Sequence, residues 1–236
     1  MTIEQQGTGI LTLKKAFSSR GFTIVETMVA MALSGILMAG VYSAYYSQQK
    51  TSVGQNQVAA MQQNLRAAMY FITTEIRMAG YDPVGSANAG IKTATSTTMR
   101  ITMDFTDNAG TGGPDGLADD DNEDVTFSLY DSDSDGINDL GRNIGSGNQL
   151  AAKNIDALNF VYLDEEDTVT TTLTEIRSVQ ISLVARTGRG DPGYTNSESY
   201  SNQQGEVIYP LPGDPPDSYR RRLLTAQVKC RNIGLE

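Results

Sequence analysis

Residues 22–46 read Phe22-Thr-Ile-Val-Glu26-Thr-Met-Val-Ala-Met-Ala-Leu-Ser-Gly35-Ile-Leu-Met-Ala-Gly40-Val-Tyr-Ser-Ala-Tyr-Tyr46, and this stretch decides the class of the molecule. A bilayer is crossed by roughly 20 consecutive apolar residues, and this run exceeds that with a single charge, Glu26. Lys14, Lys15 and Arg20 precede it, and only Lys50 follows closely. The positive-inside rule therefore places residues 1–21 in the cytoplasm and everything past Lys50 outside. A cleaved secretory signal has a shorter apolar core ending at a small-residue site. A plain signal anchor fits the length but leaves Glu26 unexplained. A charge inside hydrocarbon costs a few kcal/mol even on lenient scales, so it calls for a partner, and the span holds no Lys, Arg or His. Cutting the chain between Gly21 and Phe22 would supply one, because the new α-amino group would lie one helical turn from Glu26, or would meet the Glu26 of a neighbouring subunit.

The segment Lys14-Lys15-Ala-Phe-Ser-Ser-Arg-Gly21 followed by Phe22-Thr-Ile-Val-Glu26 resembles the class III signal of type IV pilins and of type II secretion pseudopilins. The resemblance implies that a prepilin peptidase cleaves after Gly21 and methylates Phe22, and that Glu26 assists subunit docking. It also implies the inner-membrane assembly platform and other minor and major pilins as partners, with membrane lipid around the helix before assembly. On this reading residues 1–21 are a cleaved leader, 22–50 the membrane or filament-core helix, 51–80 an amphipathic helix, and 81–236 a periplasmic or extracellular β head.

Past the span, Val58, Met61, Leu65, Met69, Ile72, Ile76 and Ala79 recur at spacings of three and four, one face of an α-helix. Gly80 followed by Tyr-Asp-Pro83 is a stop signal. A continuous helix to Ala79 would measure on the order of 85 Å. Gly35, Gly40 and Gly54 weaken it by about 1 kcal/mol each relative to Ala. The run from Asn64 to Pro83 is similar to the matching segment of PilW-type minor pilins and of their secretion counterpart, the J-type minor pseudopilin.

The remainder predicts an antiparallel β head, and hence an α+β, pilin-like fold. Met99, Ile101, Met103 and Phe105 alternate with polar residues, as do Val125, Phe127 and Leu129, then Val179, Ile181, Leu183 and Ala185, and finally Leu224, Ala226, Val228 and Cys230. Residues 155–163 are apolar on both faces, the pattern of a central strand. Residues 188–218 hold five of the seven prolines and read as a long surface loop. Within it Arg189-Gly190-Asp191 spells a cell-adhesion tripeptide, too short a match to carry weight.

Composition excludes several chemistries. The chain has 18 Lys+Arg against 28 Asp+Glu, a net charge of −10, with no His and one Cys. Without His there is no imidazole triad and no ordinary zinc site. The acidic balance disfavours nucleic acid as a direct partner. A membrane-anchored hydrolase would have to rest on carboxylate pairs, and the acids lie in Gly/Ser-rich turns with no readable pocket, so the chain reads as a structural protein and not an enzyme. No cofactor is required, with calcium the one candidate. Asp131, Asp133, Asp135 and Asp139, with Gly136 and the backbone carbonyl of Ile137, start like an EF-hand loop, yet Arg142 stands where the bidentate acid belongs. A partial calcium loop and a solvated acidic turn are both open readings. The resulting function is a minor pilin in type IV pilus assembly, at the initiation or tip complex, with a J-type pseudopilin of type II secretion as the alternative.

Overall fold

The computed structural model describes residues 21–107 and 112–234. The basic leader positions Lys14, Lys15 and Arg20 lie outside the described residues, whereas Gly21 and Phe22 lie within them. The chain separates into two compact units, residues 1–50 and 51–236.

One helix, α1 (Ile24–Met78), contributes to both. In the first unit its side chains are exposed throughout, including Ile24, Met31, Ile36, Leu37 and Tyr42, as is Phe22 just before it. A helix apolar on every side is one built for lipid or for other helices. Gly35 and Gly40 have no atom within 4 Å of where a side chain would begin, so neither is required there by a close approach.

In the second unit the helix turns amphipathic, and Met61, Leu65, Ala68, Met69, Ile72 and Ile76 are buried. Val58 packs at the margin of the same core. Ile72 and Ile76 are fully buried, and each such side chain stabilises the head by about 1.5–3 kcal/mol. The helix ends where the sequence says it should. Gly80 takes a positive φ of 79°, and its N–H donates to the Thr102 carbonyl at 3.0 Å.

That helical face is covered by two antiparallel sheets. The first is a five-stranded meander in chain order: β1 (Gly90–Ala94), β2 (Met99–Thr102), β3 (Asp124–Tyr130), β4 (Asp139–Asn143) and β5 (Asn148–Ala152). The second has three strands, β6 (Ile155–Leu163), β7 (Ser178–Arg186) and β10 (Arg221–Lys229), in the order β10-β7-β6. A hairpin of β8 (Tyr200–Ser201) and β9 (Val207–Tyr209) forms its own two-stranded sheet and packs against the second one. The sheets are stitched together where Phe160 N donates to Ser96 O at 2.8 Å and Ile155 N to Asn138 O at 2.9 Å.

Three expectations change. β6 is an edge strand of its sheet, not a central one. It is apolar on both faces because Leu158, Phe160 and Tyr162 join the helix core while Ala157 meets Val184 and Tyr200 on the other side. The alternation expected to reach Phe105 stops at Met103. Glu123, itself buried, accepts from Phe105 N at 2.7 Å and Thr106 N at 2.9 Å and turns the chain outward. The proline-rich stretch 188–218 holds the β8–β9 hairpin and is pinned by Asn202 Nδ2 donating to Asn159 Oδ1 at 3.0 Å.

Candidate functional site

Two places carry the residues that the sequence singles out. The first is the start of α1. Thr23 precedes the first helical residue, and Glu26 lies in the first turn. The Glu26 carboxylate accepts from Thr23 N at 2.9 Å and from Thr23 Oγ1 at 3.0 Å. In return Thr23 Oγ1 accepts from Glu26 N at 3.2 Å. This reciprocal pair is a capping box, which satisfies backbone N–H groups that a helix start otherwise leaves free. The Thr-x-x-Glu spacing that announces it is present in residues 23–26 but is easily overlooked beside the larger puzzle of an acid in an apolar run. An acid at a helix N-terminus also gains from the positive end of the helix dipole.

The second place is the turn between β3 and β4. Ligand oxygens of Asp131, Asp133 and Asp135 lie within 4.8 Å of one another, all three side chains exposed. Asp139 does not join them. It is buried at the start of β4, where its carboxylate accepts from Ser132 Oγ and from Asn154 N, the latter at 2.7 Å. The trio is also internally engaged. Asp131 accepts from Asp135 N at 3.2 Å and Gly136 N at 2.9 Å, and Asp135 accepts from Ile137 N at 2.8 Å. Lys153 Nζ sits 2.9 Å from Asp133 Oδ2, and this hydrogen bond holds the Asp133 carboxyl below its usual range. Asp133 therefore already has a cationic partner in Lys153.

Arg142, at the place where a calcium loop wants its last acid, faces the helix instead. Its Nε donates to Glu75 Oε1 at 2.6 Å, fastening β4 to α1. Burial pushes the Glu75 carboxyl upward, and Arg142 offsets part of that. Arg220 pairs with Asp191 at 2.7 Å, and Arg221 with Asp156 at 2.6 Å and Asp217 at 2.5 Å.

Comparison with known proteins agrees with the ends of the chain. The prokaryotic N-terminal methylation motif matches residues 17–42, a segment that contains Gly21, Phe22 and Glu26. The Type IV Pilus-assembly protein W family matches residues 135–232, from the end of the acidic turn through β10. Among solved structures, a type IV-like pilin from Thermus thermophilus aligns with a TM-score of 0.42 and 15% identity, covering 73% of this chain and 98% of that one. No curated protein matches. The chain thus resembles a prepilin over the start of its long helix and the PilW family from the end of its acidic turn through its closing strands.

Proposed function

We propose that the chain is a minor pilin, inserted as a single-pass precursor in the bacterial inner membrane, with the leader in the cytoplasm and the head in the periplasm. Prepilin peptidase cuts between Gly21 and Phe22 and methylates the new terminus. The mature subunit then joins other pilins through its apolar helix, as part of the complex that starts or tips a type IV pilus. The observation carrying this reading is one acid, Glu26, set in the first turn of a helix whose following residues are apolar and exposed. The PilW region supports the pilus over the secretion-system counterpart.

Among the described residues Glu26 accepts its hydrogen bonds from Thr23. Cleavage creates a cation close by, and a full charge is a stronger partner for a carboxylate than a neutral hydroxyl. Processing thus converts a helix cap into an ion pair, within one subunit or across two, as the chain moves from lipid to filament. The subunit acts by packing and charge pairing, not by catalysis.

Mass spectrometry of the protein recovered from its host tests the reading. The expected N-terminus is an N-methylated Phe22. A chain still carrying residues 1–21 would overturn it.

A further inference from the structure

We propose that the head carries a pocket for a phosphate-bearing ligand, where α1 meets the end of β7. The pocket stands apart from the processing of Phe22. A cavity of about 470 Å³ opens there, walled by Gln57, Met61 and Asn64 from the helix and by Asn154, Arg186 and Arg189 from the head. No carboxylate lines it, on a chain whose net charge is −10. Two guanidinium groups and three side-chain amides share one concave surface.

The donors around the cavity are underused. Arg186 Nε is buried and has no hydrogen-bond acceptor among the described residues. The nearest carboxylate oxygen, Asp156 Oδ1, is 3.6 Å away, and the other oxygen of Asp156 is held by Arg221 at 2.6 Å. The Arg186 guanidinium lies over the Tyr219 ring at 4.3 Å, which fixes its plane. Arg189 has no ion pair among the described residues, because the acid two positions on, Asp191, is committed to Arg220 at 2.7 Å. The side-chain amides of Gln57 and Asn154 are likewise without a hydrogen bond among the described residues. Asn64 spends its amide N–H on the Lys153 carbonyl at 2.6 Å, tying the helix wall to the head wall.

Asn154 is held firmly in place. Its N–H donates to buried Asp139 at 2.7 Å, and its carbonyl accepts from Arg186 N at 3.0 Å. Gly188 keeps the mouth clear, since a Cβ there would meet only Asn154 Nδ2, at 3.8 Å.

Two planar guanidinium groups with amide N–H donors between them match a doubly charged phosphate better than a single carboxylate. The same chemistry is offered by the headgroup of an anionic lipid and by a soluble phosphate ester.

Full-length protein in neutral detergent, titrated with inorganic phosphate and followed by phosphorus NMR, tests the pocket. The native chain is expected to bind with a Kd in the millimolar range. Arg189→Ala, an exposed position, and Gly188→Leu, which fills the cavity and removes no charge, are each expected to weaken binding about tenfold or more. Neither should shift the melting temperature. Absence of binding, or binding that both substitutions leave unchanged, would overturn the proposal. Soluble dihexanoyl phosphatidic acid separates the two sources. Affinity about tenfold above that of phosphate, lost in the same variants, assigns the pocket to a lipid headgroup. Equal affinity, lost in the same variants, assigns it to a soluble phosphate ester.

Discussion

Arg221 holds three carboxylate oxygens at once. Its Nε donates to Asp156 at 2.6 Å, its two terminal nitrogens reach Asp217 at 2.6 and 2.5 Å, and its face lies 4.4 Å from the Tyr209 ring. The side chain is only 2% exposed. Removing one member of a buried pair strands the others, so Arg221→Ala is expected to destabilise the protein by about 3–5 kcal/mol, read from urea unfolding. The hydrogen bonds from Arg221 hold the Asp217 carboxyl below its usual range. A depressed carboxylate contributes stability above its unfolded-state pKa and loses it as pH falls through the folded value. Asp217→Asn should therefore flatten the acid side of the stability curve below about pH 4, where an unperturbed Asp begins to protonate. Cys230 behaves in the opposite direction. It is buried, and desolvation pushes its thiol up to about 12. Iodoacetamide at pH 8 is expected to label the folded protein roughly a thousandfold more slowly than the urea-unfolded chain, since the thiolate is the reactive form.

At the scale of elements, α1 was the most legible part of the sequence, because a three-four spacing of Met, Leu and Ile against Gln, Asn and Arg has one physical solution. Its end is equally plain, and Gly80 is required there twice over. The residue has a positive φ, and a Cβ would lie 2.8 Å from Ile233 Cγ1. Gly80→Ala is expected to cost about 1–2 kcal/mol in thermal or urea unfolding. β3, β7 and β10 were also readable from alternation. β4 was not, because Asp139-Leu-Gly-Arg-Asn143 offers a single large apolar residue. Its place is set by one contact far along the chain, Arg142 to Glu75, and one across the turn, Gly141 under the Tyr130 ring, where a Cβ would lie 2.7 Å from Cδ1. The turn before β4 was half legible. The spacing of Asp131, Asp133 and Asp135 gathers them, but nothing local showed that Asp139 would be drawn into the core or that Lys153 would arrive at Asp133. We propose that any calcium bound at this turn must displace Lys153. Lys153→Ala is accordingly expected to show a calcium-dependent rise in melting temperature larger than the native protein's, lost when Asp131, Asp133 and Asp135 are changed to Asn. A response equal in native and variant would remove the turn from consideration.

For the molecule as a whole, the class was set by residues 14–50, where physics leaves few options for an acid in an apolar run. Less legible there is the local role of Thr23, which caps the helix start and donates two hydrogen bonds to Glu26. The proposed division of labour predicts that Glu26→Ala leaves insertion into membranes intact and lowers the amount of subunit recovered in sheared filaments, measured by immunoblot of the two fractions. The partition of the head into two sheets was less legible, since it depends on which strand edges are tied by single bonds such as Phe160 to Ser96. The end of the helix has one more partner. Asn232 donates its side-chain amide to the carbonyls of Arg77 and Met78 at 3.2 and 3.4 Å, across 155 and 154 residues of chain. Contacts so distant in sequence form late. On the proposed route of export, the exit of the helix stays unlatched until Asn232 has crossed the bilayer, and the order in which the polypeptide emerges decides when the subunit becomes rigid enough to be built upon.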